Sequence, residues 1–304
     1  MKKICIVGPG RVGESTAQLI AKAELCRELV ILGRDENKTK GIALDIQETA
    51  PLFRFDTRVY GSSNPNSLRD ADLVIFTAGL PRKPGMSRDE LIKANAEVLQ
   101  GVVEDILVYA PQSMLLLVTN PVDVLTYRAW RQTGWKRNRI FGLSGVLDAA
   151  RMASFIALET GFSTKDITTL VIGGHGDAML PLTRYACING VPIEQFLDAE
   201  RIEKLVEHTR IGGAEILALK KTSSAYDSPA AAVATMVDAI ARNRRRVLPC
   251  VAILDGEYQQ RELALGVPVI LGAQGIERVI ELPLTQAETT ALEKSAAQVR
   301  AVID

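Results

Sequence analysis

The chain is poor in histidine, in cysteine and in surplus charge, and each shortage removes a class of function. In 304 residues, 36 lysines and arginines balance 36 aspartates and glutamates. That balance leaves no electrostatic footprint for nucleic acid or an anionic membrane, so a small-molecule partner is expected. The four cysteines (Cys5, Cys26, Cys187 and Cys250) are scattered, with no CxxC pair and no metal-ligand spacing. They read as small core residues in a reducing compartment, and neither a disulfide nor a metal site is expected. No apolar run reaches the roughly 18 residues of a membrane span. The opening MKKICIVG enters a strand pattern at once and lacks the longer apolar segment of a signal peptide. A soluble, cytoplasmic protein is the expectation. Internal repeats, low-complexity linkers and long charge blocks are also missing. The short basic run RNRRR (residues 242–246) reads as a solvated helix end or a subunit contact, because a helix C-terminus favours cations.

What is present is length enough for two domains of ordinary size, with 47% hydrophobic residues to fill their cores. Up to about residue 141, short apolar runs (ICIV at 4–7, LVIL at 29–32, VY at 59–60, DLVIFT at 72–77, MLLLVT at 114–119) alternate with helix-like segments at 15–23, 38–48 and 88–109. Alternation of this kind predicts βαβ units in a doubly wound parallel sheet covered on both faces. Beyond it the pattern changes. Helical segments at 145–159, 201–219 and 229–242 mix with hairpin-like pieces, 182–188 before the turn signal Asn189-Gly190 and 247–254 before Asp255-Gly256. The expected division is an α/β domain over residues 1–141 and an α+β domain over 142–304.

Directly after the first strand stands GPGRVG (residues 8–13), a GxGxxG that heads a helical pattern. Gly8, Gly10 and Gly13 permit a tight turn, close backbone approach to a pyrophosphate and tight helix packing, while the helix start offers free N–H groups. Pro9 removes one donor. The chain has only two histidines. His175 sits between glycines in VIGGHGD (171–177), where an exposed ring can exchange a proton, whereas His208 lies in a charged helical segment. A histidine held in a turn is the plainer alternative. In LDAAR (147–151), Asp148 and Arg151 are three residues apart on one helix face, a carboxylate able to orient an imidazole beside a guanidinium able to clamp a carboxylate. An intrahelical ion pair alone explains that spacing equally. Arg82 and Arg88 fall in the Pro- and Gly-rich segment 77–88 after a parallel strand, and Asn120 in TNPVD (119–123) after the next one, both being ends where such sheets bind ligands.

Together and in this order, GPGRVG, AGLPRKPGMSR (78–88), TNPVD, LDAAR and GGHGD (173–177) resemble the lactate/malate dehydrogenase family, nearest its lactate-dehydrogenase-like malate-converting branch. The likeness continues through GGAEI (212–216), TSSAY (222–226) and GVPVILG (266–272), covering nearly the whole chain. It implies an N-terminal Rossmann doubly wound parallel sheet, a C-terminal α+β substrate domain, and reversible hydride transfer between malate or oxaloacetate and NAD or NADP. Position by position, it implies that His175 accepts the hydroxyl proton and Asp148 holds the resulting imidazolium. Arg151 grips the carboxylate beside the reacting carbon, Arg88 polarises the carbonyl from a closing lid, and Asn120 orients the reacting oxygen. Gly8, Gly10, Arg11, Val12, Gly13, Asn95, Val118, Thr119 and Asn120 lie along the cofactor. Arg82 pairs with the second carboxylate of a dicarboxylate; with pyruvate it would be buried unpaired, and Ala225 leaves room for the larger substrate. A homodimer or homotetramer is implied. The rival readings are a lactate-type or other 2-hydroxy acid dehydrogenase and, from another class, a non-catalytic nucleotide-binding protein.

One expected residue is missing. An acid for the adenine ribose belongs about 20 residues past the glycine motif, at the end of the second strand. Gly33 stands there, followed by Arg34 in VILGRDENK (30–38). An acid would repel a 2′-phosphate; glycine removes that repulsion, and Arg34 supplies a guanidinium fork, with Lys38 as a second cation. This favours NADP or dual use. Asp35, two residues beyond the strand, is the alternative acid for an NAD site.

Overall fold

The computed structural model describes residues 1–80 and 88–303, with Arg88 as backbone only. In chain order the first half runs β1 (Lys3–Val7), α1 (Arg11–Lys22), β2 (Glu28–Leu32), α2 (Glu36–Glu48), the single turn α3 (Ala50–Phe53), β3 (Arg58–Ser62), β4 (Leu73–Phe76), α4 (Arg88–Tyr109), β5 (Met114–Leu117), α5 (Val122–Thr133) and β6 (Ile140–Leu143). The second half continues with α6 (Gly145–Thr160), β7 (Ile167–Thr168), β8 (Val171–Gly173), β9 (Met179–Pro181), β10 (Cys187–Ile188), β11 (Val191–Pro192), α7 (Ala199–Lys220) and α8 (Asp227–Ala241). It ends with β12 (Arg246–Asp255), β13 (Arg261–Gly272), β14 (Gly275–Val279) and α9 (Gln286–Ile303).

The continuous apolar strands of the first half form the parallel sheet expected of them, in the order β3-β2-β1-β4-β5-β6. Both faces are covered, and β1 shows how. Ile4 and Ile6 pack into one core, while Cys5 and Val7 pack into the other, because successive side chains point to opposite faces. Strand order reverses at β1, which lies between β2 and β4, so a crevice opens past Val7 and Phe76 at the carboxyl ends. Such switch points are where open α/β sheets bind ligands.

From β6 onward the sheet continues antiparallel through β12, β13, β8 and β9. The long β12–β13 hairpin is the one signalled by Asp255-Gly256. At the other hairpin the Asn189-Gly190 turn forms as its sequence implies, but the strand before it is shorter than 182–188. Residues 183–185 form a 3₁₀ turn, and only Cys187–Ile188 pairs across Asn189-Gly190, both of which have positive φ. Gly266 of β13 lies opposite Gly173 of β8, and a Cβ on Gly266 would come within 2.5 Å of the Gly173 carbonyl. That contact seats the end of β8, and with it the loop that follows, close against the hairpin.

Two readings of isolated residues resolve simply. All four cysteines are free thiols, and burial pushes Cys5 and Cys26 up to about 12, which keeps them protonated and inert. The basic run is partly paired in place: Arg242 and Arg244 share Asp238 at 3.3 and 2.6 Å, Arg245 pairs with Glu277 at 2.8 Å, and Arg246 is exposed. Among the described residues, no helix is long and apolar enough to cross a membrane.

Candidate active site

The glycine turn sits in the crevice at the switch point. Gly8 has φ +117°, and a Cβ there would lie 2.4 Å from the Ala78 nitrogen, so only glycine fits between the ends of β1 and β4. A Cβ on Gly13 would meet the Gly8 carbonyl at 2.2 Å, which shows how tightly α1 is drawn under the turn. Gly10 differs: a Cβ there would meet nothing within 4 Å. It opens α1 without any side-chain cap, leaving free N–H groups beside open space, as an incoming diphosphate requires. Arg11 is exposed with its guanidinium 5.5 Å from the Tyr226 ring, Val12 is half-buried, and Gly13 is buried. Across the crevice, Thr119 Oγ1 donates to the Ala78 carbonyl at 2.7 Å, while Val118 and Thr119 are half-buried and Asn120 is exposed.

Asn95, expected to lie along the cofactor, is only 1% exposed, and both ends of its amide are engaged by backbone. Oδ1 accepts the Leu80 N–H at 2.7 Å, and Nδ2 donates to the Asn120 carbonyl at 2.9 Å. One buried amide on α4 therefore holds together the loops that follow β4 and β5.

The Asp148–Arg151 pair and His175 come together. His175 Nδ1 lies 2.9 Å from Asp148 Oδ2, and Arg151 Nη1 lies 3.2 Å from Asp148 Oδ1, so the two oxygens of one carboxylate serve an imidazole and a guanidinium. The Asp148 side chain is 1% exposed, against 16% for His175 and 11% for Arg151. Arg151 also donates to the Thr209 carbonyl of α7 at 3.4 Å and passes directly over Gly212, where a Cβ would sit 2.6 Å from its Cδ. Burial alone pulls the imidazolium of His175 down. The Asp148 carboxylate, by charge and hydrogen bond, together with Asp123, carries it above the ordinary histidine value despite opposition from Arg151. With Nδ1 bound to Asp148, Nε2 is the ring nitrogen left to meet a ligand. His208 is elsewhere, stacked on Phe155 and bonded to Glu215 at 2.7 Å.

Two further residues, without a local sequence signal for this role, hold the histidine loop. Ser295 of α9 accepts the Gly174 N–H at 2.8 Å and donates to the Ala178 carbonyl at 2.7 Å, bracketing His175. Asp123 of α5 accepts the His175 N–H at 3.0 Å. The sequence does announce α9: Thr285 and Glu288 form a reciprocal capping box. Nothing local to Ser295 or Asp123 names its target.

At the end of β2, Gly33 is packed against the glycine turn itself. A Cβ there would come within 2.5 Å of Pro9 Cγ and 2.6 Å of its Cδ. Asp35 caps α2, its Oδ1 accepting the Lys38 N–H at 3.1 Å. Arg34 and Lys38 are exposed and form no ion pair among the described residues. Arg82 and the side chain of Arg88 lie outside the described residues.

Family models match both halves: the NAD binding domain of lactate/malate dehydrogenase over residues 2–142, and the alpha/beta C-terminal domain of the same family over residues 145–304. The chain belongs to the lactate/malate dehydrogenase family. Within the family, it is 61% identical over 300 residues to a malate dehydrogenase of Thioalkalivibrio sulfidiphilus, covering 99% of this chain and 98% of that one. A malate dehydrogenase of Nitrosococcus oceani is 59% identical, over 99% of this chain and 96% of the relative. Among solved structures of the family, the malate dehydrogenase of Salinibacter ruber superposes with a TM-score of 0.95 at 41% identity, covering 99% and 96% of the two chains.

Proposed function

We propose that the protein is a malate dehydrogenase, converting (S)-malate and oxaloacetate with a nicotinamide cofactor, and that it prefers NADP or uses both cofactors. The observation that carries the reading is the bond from the His175 N–H to Asp123. Asp123 stands three residues after Asn120, so the bond ties the His175–Asp148–Arg151 cluster to the segment at the edge of the dinucleotide crevice. A structural histidine or an isolated ion pair needs no such link. The same cluster speaks against a non-catalytic nucleotide-binding protein.

The glycine turn, with Arg11 and Val12 at the start of α1 and Val118 to Asn120 across the crevice, is the set of groups that would hold the cofactor. When bound, the nicotinamide supplies the hydride acceptor or donor. In malate oxidation His175 takes the hydroxyl proton at Nε2, and Asp148 stabilises the imidazolium through Nδ1. Arg151 grips the carboxylate beside the reacting carbon with a two-pronged charge-assisted bond. Asn120 orients the reacting oxygen, Arg88 polarises the carbonyl, and Arg82 pairs with the second carboxylate. In this reading residues 1–141 bind the dinucleotide, residues 142–304 bind the substrate, and the working form is a homodimer or homotetramer.

A steady-state assay crossing NADH and NADPH with oxaloacetate and pyruvate tests these assignments. Oxaloacetate should exceed pyruvate in kcat/KM; the reverse result overturns the substrate. NADPH should at least equal NADH, and Arg34→Ala should lower kcat/KM for NADPH by about 10- to 100-fold, the worth of one charge-assisted hydrogen bond. A strong NADH preference that persists in Arg34→Ala defeats the cofactor reading.

The Pro9 contact shapes a further test. Gly33→Asp alone should lower stability, because the proline ring or the strand end must move to admit the new Cβ. Pro9→Ala with Gly33→Asp should relieve that contact and move the NADPH to NADH ratio of kcat/KM toward NADH by about tenfold or more, through like-charge repulsion of the 2′-phosphate. Thermal melts and the cofactor ratio, measured on both variants, check the two parts separately.

A further inference from the structure

Asp123 is a carboxylate 5% exposed at the start of α5, and its two oxygens are unequally served. Oδ2 accepts the His175 N–H at 3.0 Å, whereas Oδ1 is buried with no hydrogen-bond partner among the described residues. A neutral asparagine oxygen would accept one backbone N–H equally well, without the several kcal/mol that burying a charge costs. Part of that cost is offset by the partial positive charge at the start of α5. The remainder falls on a group directly beside the residue that must gain and lose a proton.

We propose that Asp123 is a positioning residue for His175, fixing the main chain of the proton-transfer group and acting as a second anion that, with Asp148, supports its imidazolium. The inference rests on the reading of His175 as that group. Among the described residues, the charged neighbours that act on His175 are Asp148 and Arg151 from α6 and Asp123 from α5; Ser295 from α9 holds the loop as a neutral contact. Asp148 works through the ring and Asp123 through the backbone, so the residue is held at both its main chain and Nδ1 while Nε2 stays open. Desolvation pushes Asp123 up to about 6, with the bond from His175 and the charge of His175 pulling it back. Above that pH the site holds two anions against His175 and Arg151, and removing one of them weakens the hold on the proton.

The test exploits the presence of only two histidines. Imidazole NMR signals of the full chain are titrated, with His208→Gln identifying the His208 signal. Native His175 should titrate above the ordinary histidine value, and Asp123→Asn, which keeps an acceptor for the His175 N–H, should lower it by roughly one unit. The limb on which kcat/KM for oxaloacetate falls with rising pH should move down by the same amount, since the reduction needs the protonated ring. Asp123→Ala should show that shift and a further loss in kcat of about tenfold or more, with KM little changed, as the loop loses its anchor. A His175 titration in Asp123→Asn that overlays the native curve overturns the proposal. Should neither variant fold, the carboxyl carbon of Asp123 in the native protein decides: it should sense the His175 ionisation, and a flat signal across that transition overturns the proposal. The titrations need no turnover. If oxaloacetate is not reduced at all, the functional reading fails while the electrostatic coupling is still measured.

Discussion

His175→Gln should lower kcat for oxaloacetate reduction by about 10²- to 10⁴-fold, the usual worth of a positioned general acid or base. Glutamine retains polarity and approximate size but cannot exchange a proton near neutral pH. Cofactor binding should survive, because the glycine turn and the β4 and β5 loops are held by their own contacts, among them Asn95 and Thr119. Fluorescence titration with the reduced cofactor, alongside single-turnover kinetics, separates the two quantities. A variant that binds cofactor normally and turns over at near-native rate removes His175 from the chemistry.

Asp148→Ala should be the most destabilising single change at the site. It strands Arg151, 11% exposed, and leaves the His175 ring without its partner. Removing one member of a buried pair costs about 3–5 kcal/mol, since the remaining charge stays buried. For a chain of this size that corresponds to a fall in Tm on the order of 10 °C. The loss should also depend on pH. The folded His175 holds its proton more tightly than an unfolded histidine, so its contribution is complete below the ordinary value of 6.5 and fades as pH rises through the folded value. The gap in Tm between native and Asp148→Ala should therefore be wider at pH 6 than at pH 9. Equal gaps would mean that Asp148 acts on Arg151 alone.

The members of the Asp148–Arg151–His175 cluster are legible in the sequence because their signals are local: Asp148 and Arg151 share one helix face, and His175 is marked by flanking glycines. The helices read at 88–109 and 145–159 lie within a residue of Arg88–Tyr109 and Gly145–Thr160, where long apolar periodicity leaves little freedom. α1 was placed four residues late, since its first turn is the glycine motif itself. α5 went unread behind Pro121 although Gly134 closes it in a left-handed turn, and α9 went unread although its capping box is explicit. Those two helices carry Asp123 and Ser295, so the loops that aim His175 were invisible. Contacts such as Ser295 to Gly174, 121 residues apart, depend on how the β12–β13 hairpin and α9 pack, which no local pattern encodes. The sequence points to Asn95 at this crevice but not to the two bonds it makes, because no local pattern shows that its amide accepts one backbone N–H and donates to one carbonyl across two loops.

The contact between Gly33 and Pro9 also orders the routes by which cofactor choice can change. An acid introduced at 33 while the proline remains must displace the proline ring or the strand end, so the easier route to that acid passes first through loss of the proline. Proline loss taken alone leaves Gly33 and Arg34 in place and alters no charge. On the proposed cofactor reading the first step should leave specificity unchanged and the second should alter it, while the reverse order meets the less stable Gly33→Asp variant first. Two residues 24 positions apart thus form one steric unit, and relatives that carry an acid at 33 should be those that have a residue other than proline at 9.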